Sequence, residues 1–137
     1  MIVHNKLISS IQNQYHFETI SWIRLIEYLK QENTFMKNRL SEVIGEIKDK
    51  HDLALAEHFQ NLFIIKDDLF DHVLHDLNKE CENWKLNSHE DSITNDLIKT
   101  YLYLKAQIDF IEKDYITIKK DYFTYLSSLS ADSNKIN

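Results

Sequence analysis

The 137-residue chain has no proline and a single glycine, Gly45. Tight turns of many-stranded sheets draw on these two residues, so β-sandwiches, β-barrels and turn-rich scaffolds are excluded. Collagen-like and linker-like compositions fail on the same ground. Cysteine is almost as scarce. Cys81 stands alone, which rules out an internal disulfide and any multi-cysteine zinc site. Long apolar runs are missing too. Leu62-Phe63-Ile64-Ile65 is the longest strongly apolar stretch, far below the roughly 20 residues a bilayer span requires. Residues 1–16 carry neither a compact apolar block behind a basic lead nor a small-residue cleavage site, so a cytoplasmic location is expected.

Basic clusters are absent as well. Sixteen Lys and Arg face 22 Asp and Glu, a net charge of −6. Residues 1–50 carry +1, residues 51–87 carry −5 and residues 88–137 carry −2. An acidic surface repels phosphate backbones and anionic lipid, so nucleic acid and membrane are not expected partners.

What is present is helical periodicity. Apolar residues make up 43% of the chain, enough for one core, and they recur at steps of three and four. The first segment, about residues 17–48, has the seam Trp22, Ile26, Leu29, Asn33, Met36, Leu40, Val43, Ile47. Residues 3–15 are amphipathic and read either as a short separate helix or as an extension of the first. The second segment, about 53–84, has the seam Ala56, Phe59, Phe63, Lys66, Phe70, Val73, Leu77, Trp84. Leu55, Leu62, Leu69 and Cys81 broaden its apolar face, as expected for a helix packed against two others. The third, about 90–129, runs Tyr101, Leu104, Ile108, Ile111, Tyr115, Ile118, Tyr122, Tyr125, Leu129, with Ile93 and Leu97 upstream. The polar tail 130–137 is expected to fray.

Two polar breaks separate the segments. A turn is expected at 48–52, with Asp49 and Asp52 as candidate N-caps, because a short carboxylate accepts from the free N–H groups of a first turn. The second break, 85–92, carries a capping box in Ser88 and Asp91. Short turns between long helices force antiparallel neighbours. The expected fold is all-α: one domain, residues 1–137, built as an antiparallel up-down-up bundle of three long helices.

Candidate chemistry is sparse. Asp68 and His72 are four apart, as are Asp71 and His75, so each pair shares a helix face and offers metal-ligand types. Phe70 and Val73 occupy the seam between them, which turns His72 and His75 toward solvent. The Glu-x-x-His motif of di-iron bundles does not occur. His58, beside the seam residue Phe59, and the exposed-histidine candidates His51 and His72 could in principle serve as a base or a phosphorelay residue. No Lys-Gly follows either of the latter two. Ser9, Ser10, Ser127 and Ser128 stand near the ends in contexts that suggest no activated hydroxyl. The tyrosines of the third seam read as core residues that keep their hydroxyls at the rim. Asn33 and Lys66 are the polar seam positions, and such residues can fix register or oligomeric state.

The stretch Ala56-Glu-His-Phe-Gln-Asn-Leu-Phe-Ile-Ile-Lys66, with His75-Asp76 further on, resembles a pattern in small uncharacterised helical, coiled-coil-like proteins of Bacteroidota bacteria. Trp22 followed by Glu27 fits the same pattern. The resemblance covers about 110 residues and implies a helical cytoplasmic protein with no particular activity. Phe17 to Trp22-Ile23 is similar to the first helix of spectrin-type repeats, which implies architecture alone. The expectation is therefore a non-enzymatic interaction module without a cofactor, a homo-oligomer (dimer favoured) or the binder of a protein partner. The alternatives are a metal- or ligand-binding bundle around His72 and His75, and a phosphorelay accessory.

Overall fold

Helices form wherever apolar residues recur at three-four spacing with no Pro or Gly to interrupt them. The computed structural model describes residues 2–87 and 94–136, with side chains for 6, 7, 9–83 and 95–131. Its elements are α1 (Ile2–Val43), a 3-10 turn (Ile44–Glu46), α2 (Lys50–Asn87) and α3 (Thr94–Ile136). No strand occurs among the described residues. The fold is all-α, an up-down-up bundle of three long helices.

Residues 3–15 are an extension of the first helix, not a separate one. The seam explains why. Gln12, Tyr15 and Thr19 are buried and continue the three-four steps upstream of Trp22. Thr19 satisfies its hydroxyl by donating to the Tyr15 carbonyl one turn back, at 2.8 Å. At the other end, α1 stops at Val43, five residues short of the expected boundary at Lys48. Val43 is consequently exposed, and Ile47 lies outside the helix in extended backbone. Of the two candidate caps, Asp49 is the one used: its Oδ1 accepts from the Asp52 N–H at 2.9 Å, so α2 begins at Lys50. α3 is helical through Ile136, beyond the expected end near Leu129, since nothing between Ser130 and Ile136 is a helix breaker. Trp84 lies on α2, with its side chain outside the description, and the capping box Ser88 and Asp91, together with Ile93, lies outside the described residues.

The chain divides into two compact units, and each helix contributes to both. The first is Met1–Tyr28 with Phe70–Phe110, and the second is Leu29–Leu69 with Ile111–Asn137. Tyr15, Thr19, Ile26, Phe70, Val73, Leu77, Leu97, Leu104 and Ile108 are buried in the first. Its aromatic contacts centre on Tyr101, whose ring lies 6.0 Å from Tyr15 and 5.6 Å from Trp22.

The second unit buries Leu29, Met36, Leu40, Ala56, Phe59, Phe63, Ile111, Tyr115, Tyr122 and Tyr125. Phe63 meets Tyr122 edge to face, with ring centroids 4.9 Å apart. Phe59 stands 5.4 Å from Tyr122 and 5.3 Å from Tyr125. Its contacts also fix the helix directions. Asn33 reaches Phe63 and Asp67, whereas Ser41 meets Gln60, so α1 and α2 are antiparallel here. Lys66 pairs with Asp114 and Asp52 meets Tyr125, so α2 and α3 are antiparallel as well.

Candidate functional site

The strongest polar feature lies in the core of the second unit. Asn33 is fully buried on α1, at the seam position where an apolar residue would ordinarily stand. Its Nδ2 donates to the Phe63 carbonyl at 2.8 Å and to Asp67 Oδ1 at 2.6 Å. Its Oδ1 accepts from the Tyr115 hydroxyl at 3.2 Å. One amide therefore ties α1 to α2 and α3 at a single level. Lys37 Nζ donates to Asp67 Oδ2, completing the carboxylate. Burial pushes the Tyr115 hydroxyl well above its ordinary range, and the negative charges of Glu32 and Asp67 push it further. The phenol is neutral and acts as a donor. Both Asn33 amide protons and its oxygen are engaged, so the cluster is a closed network.

Lys66, the other polar seam position, is handled differently. Its ammonium reaches Asp114 Oδ2 at 2.6 Å from a largely buried side chain, bridging α2 to α3. On α1 and α3, Glu32 and Lys119 pair at 2.7 Å. At the end of the unit, the Tyr125 hydroxyl donates to the Asp52 carbonyl at 2.7 Å.

Among the described residues, an open groove lies between α1 and α3 in each unit. The groove of the second unit, about 310 Å³, is lined by Glu32, Phe35, Met36, Arg39, Lys119, Tyr122, Phe123 and Leu126. Phe35 is 65% exposed and Phe123 is 51% exposed. The Arg39 guanidinium lies 6.0 Å from the Phe35 ring and 3.4 Å from the Glu42 carboxylate. The groove of the first unit is larger, about 630 Å³, and is lined by Ser10, Ile11, Gln14, Tyr15, Glu18, Leu97, Ile98, Tyr101 and Leu102. The Tyr15 hydroxyl donates to Glu80 Oε1 at 2.8 Å. Burial raises its pKa, and that bond and the Glu80 charge raise it further. Tyr101 is raised mainly by its hydrogen bond to Glu18, then by burial and by the charges of Glu18 and Asp109.

Asp68, Asp71, His72 and His75 all lie on α2 and are all exposed. Among the described residues, no group of three His, Cys, Asp or Glu side chains is placed to hold a metal ion. His58 is exposed on α2 with its ring 5.6 Å from Phe59, and His51 is exposed in the first turn of the same helix. Ser9, Ser10, Ser127 and Ser128 are exposed on α1 and α3. No helix among the described residues is long and apolar enough to cross a membrane.

Periodicity marked Asn33 and Lys66 as polar seam residues. It did not reveal Asp67, Tyr115 or Asp114 as their partners, because those pairings join residues 34 to 82 positions apart. Glu18 and the α1/α3 grooves were likewise missed. The exposed aromatics at Phe35 and Phe123, off the seam yet large and apolar, were the available signal. No protein family, curated protein or solved structure matches the chain.

Proposed function

We propose that the chain is a non-catalytic interaction module of the cytoplasm that self-associates as a dimer through the α1/α3 groove of the second unit. The observation that carries this reading is the pairing of two half- to two-thirds-exposed phenylalanines, Phe35 and Phe123, over an apolar floor of Met36, Tyr122 and Leu126. Water contact with such rings is unfavourable by about 25 cal/mol per Å², so covering them drives association. The rim holds both signs of charge, Arg39 and Lys119 beside Glu32 and Glu42. A two-fold contact sets a surface against its own copy, and a rim of mixed sign can pair with itself. In the core of this unit Asn33, Asp67, Lys37 and Tyr115 bond to one another, and that closed network supports a structural role for them.

Sedimentation equilibrium tests the reading. The unmodified chain is expected to be dimeric, and Phe35→Glu with Phe123→Glu is expected to yield a monomer of unchanged helix content. A strictly monomeric unmodified chain at about 100 μM, well above the micromolar range of weak stable pairs, would defeat it.

A further inference from the structure

The groove of the first unit differs in character. On α1 its wall is a ridge at steps of four and three, Ile11, Gln14 and Glu18, and Leu7 extends that ridge as an exposed apolar residue. On α3 the facing ridge carries Ile98 and Leu102, four apart and exposed at 40% and 57%. Two parallel apolar ridges on neighbouring helices form the seat into which a third amphipathic helix packs. Among the described residues, the one charged side chain lining this seat is a carboxylate, Glu18. The carboxylate lies beside the Tyr101 hydroxyl, and its Oε2 is buried with no hydrogen-bond partner among the described residues. A buried acceptor without a donor is costly until one reaches it. The surroundings share its sign. Among the residues of this unit with described side chains, five Lys and Arg stand against eight Asp and Glu.

We propose that this groove docks an amphipathic helix of a protein partner, and that the helix carries a lysine or arginine beside its apolar ridge to pair with Glu18. The inference rests on the reading of the chain as an interaction module but uses a different surface. A second copy of the chain is a poor occupant. Self-contact of this groove would bring Glu18 carboxylates together, and like charges across an interface are strongly unfavourable. A basic helix meets the opposite condition. Its apolar side chains cover Leu7, Ile98 and Leu102, and its cation supplies the donor that Glu18 Oε2 lacks.

The test uses the full-length chain and a displayed library of amphipathic helical peptides whose ridge-flanking positions vary among Lys, Arg, Gln and Glu. Peptides enriched on the unmodified chain are expected to carry Lys or Arg beside the ridge. An enriched Lys peptide is expected to bind about tenfold more tightly than its Glu counterpart, the size of one charge-assisted pair. Glu18→Gln should abolish that preference while leaving binding of the Gln counterpart unchanged. Leu102→Glu should remove binding of all the peptides, with helix content by circular dichroism unaltered because Leu102 is exposed. Enrichment of neutral or acidic peptides, a preference that survives Glu18→Gln, or no enrichment at all overturns the proposal. Loss of the dimer in Leu102→Glu without peptide binding would overturn it in favour of a second copy. Peptide selectivity on a monomeric chain would refute self-association through Phe35 and Phe123 and leave this proposal standing.

Discussion

Asn33 shows how one residue can discipline three helices. An amide in an apolar seam is tolerable only if its donors and acceptor are met, and here they are met by partners on α2 and α3. Sliding α2 by a turn, about 5.4 Å, would strand the amide donors, and sliding α3 would strand the amide oxygen. Asn33→Ala is expected to lower stability by about 1–3 kcal/mol in urea unfolding, because it leaves the Tyr115 hydroxyl and Asp67 short of a buried partner. Ile108 offers the apolar counterpart. It is 1% exposed in the core of the first unit. Ile108→Ala should reduce the unfolding free energy by about 2–5 kcal/mol, and a loss below about half a kcal/mol would mean the side chain is not packed.

At the level of elements, the connection between α1 and α2 is informative because its glycine is not used as one. Gly45 lies inside the 3-10 turn Ile44–Glu46, has no positive φ, and would place an added Cβ in open space. Its flexibility only enlarges the unfolded ensemble. Gly45→Ala is therefore expected to raise the thermal midpoint, with a gain of about 0.4–1 kcal/mol. The start of α2 comes instead from Asp49, whose carboxylate caps it. The length of α1 has a related cause. Gln12 and Thr19 are polar, yet they sit on the seam steps, and Thr19 silences its hydroxyl against its own helix.

Across the whole molecule, tyrosine makes the fold sensitive to alkali. Tyr15, Tyr115, Tyr122 and Tyr125 have raised pKa values, chiefly through burial, and Tyr101 is raised chiefly by its bond to Glu18. In the unfolded chain these phenols ionise near their ordinary value of 10.0. The native state holds the protons to higher pH, so the unfolded state releases them first and gains stability as the pH climbs. Stability should therefore be insensitive to these groups below about pH 9 and fall progressively above about pH 10. Urea midpoints measured across that range check the sign. A Tyr15→Phe, Tyr115→Phe double variant should show a shallower alkaline decline, and an equally steep one would show that these two phenols do not titrate differently on unfolding.

Helix type, helix number and most of the buried set were legible from residue order alone. Three-four spacing is a local property, and the absence of proline left no interruption to misplace. Ile26, Leu29, Met36 and Leu40 on α1, and Leu104, Ile108, Ile111 and Tyr115 on α3, are buried where the spacing put them. Boundaries were less legible, since Ile47 continues the pattern past the point where the helix ends. Which partner each polar seam residue would find was decided only by folding. The bond between Asn33 and Tyr115 joins residues 82 positions apart, and periodicity along one helix carries no information about the level at which another crosses it. The grooves belong to the same category: a residue's exposure at the edge of a seam depends on how closely two helices approach, a distance set by side chains on both.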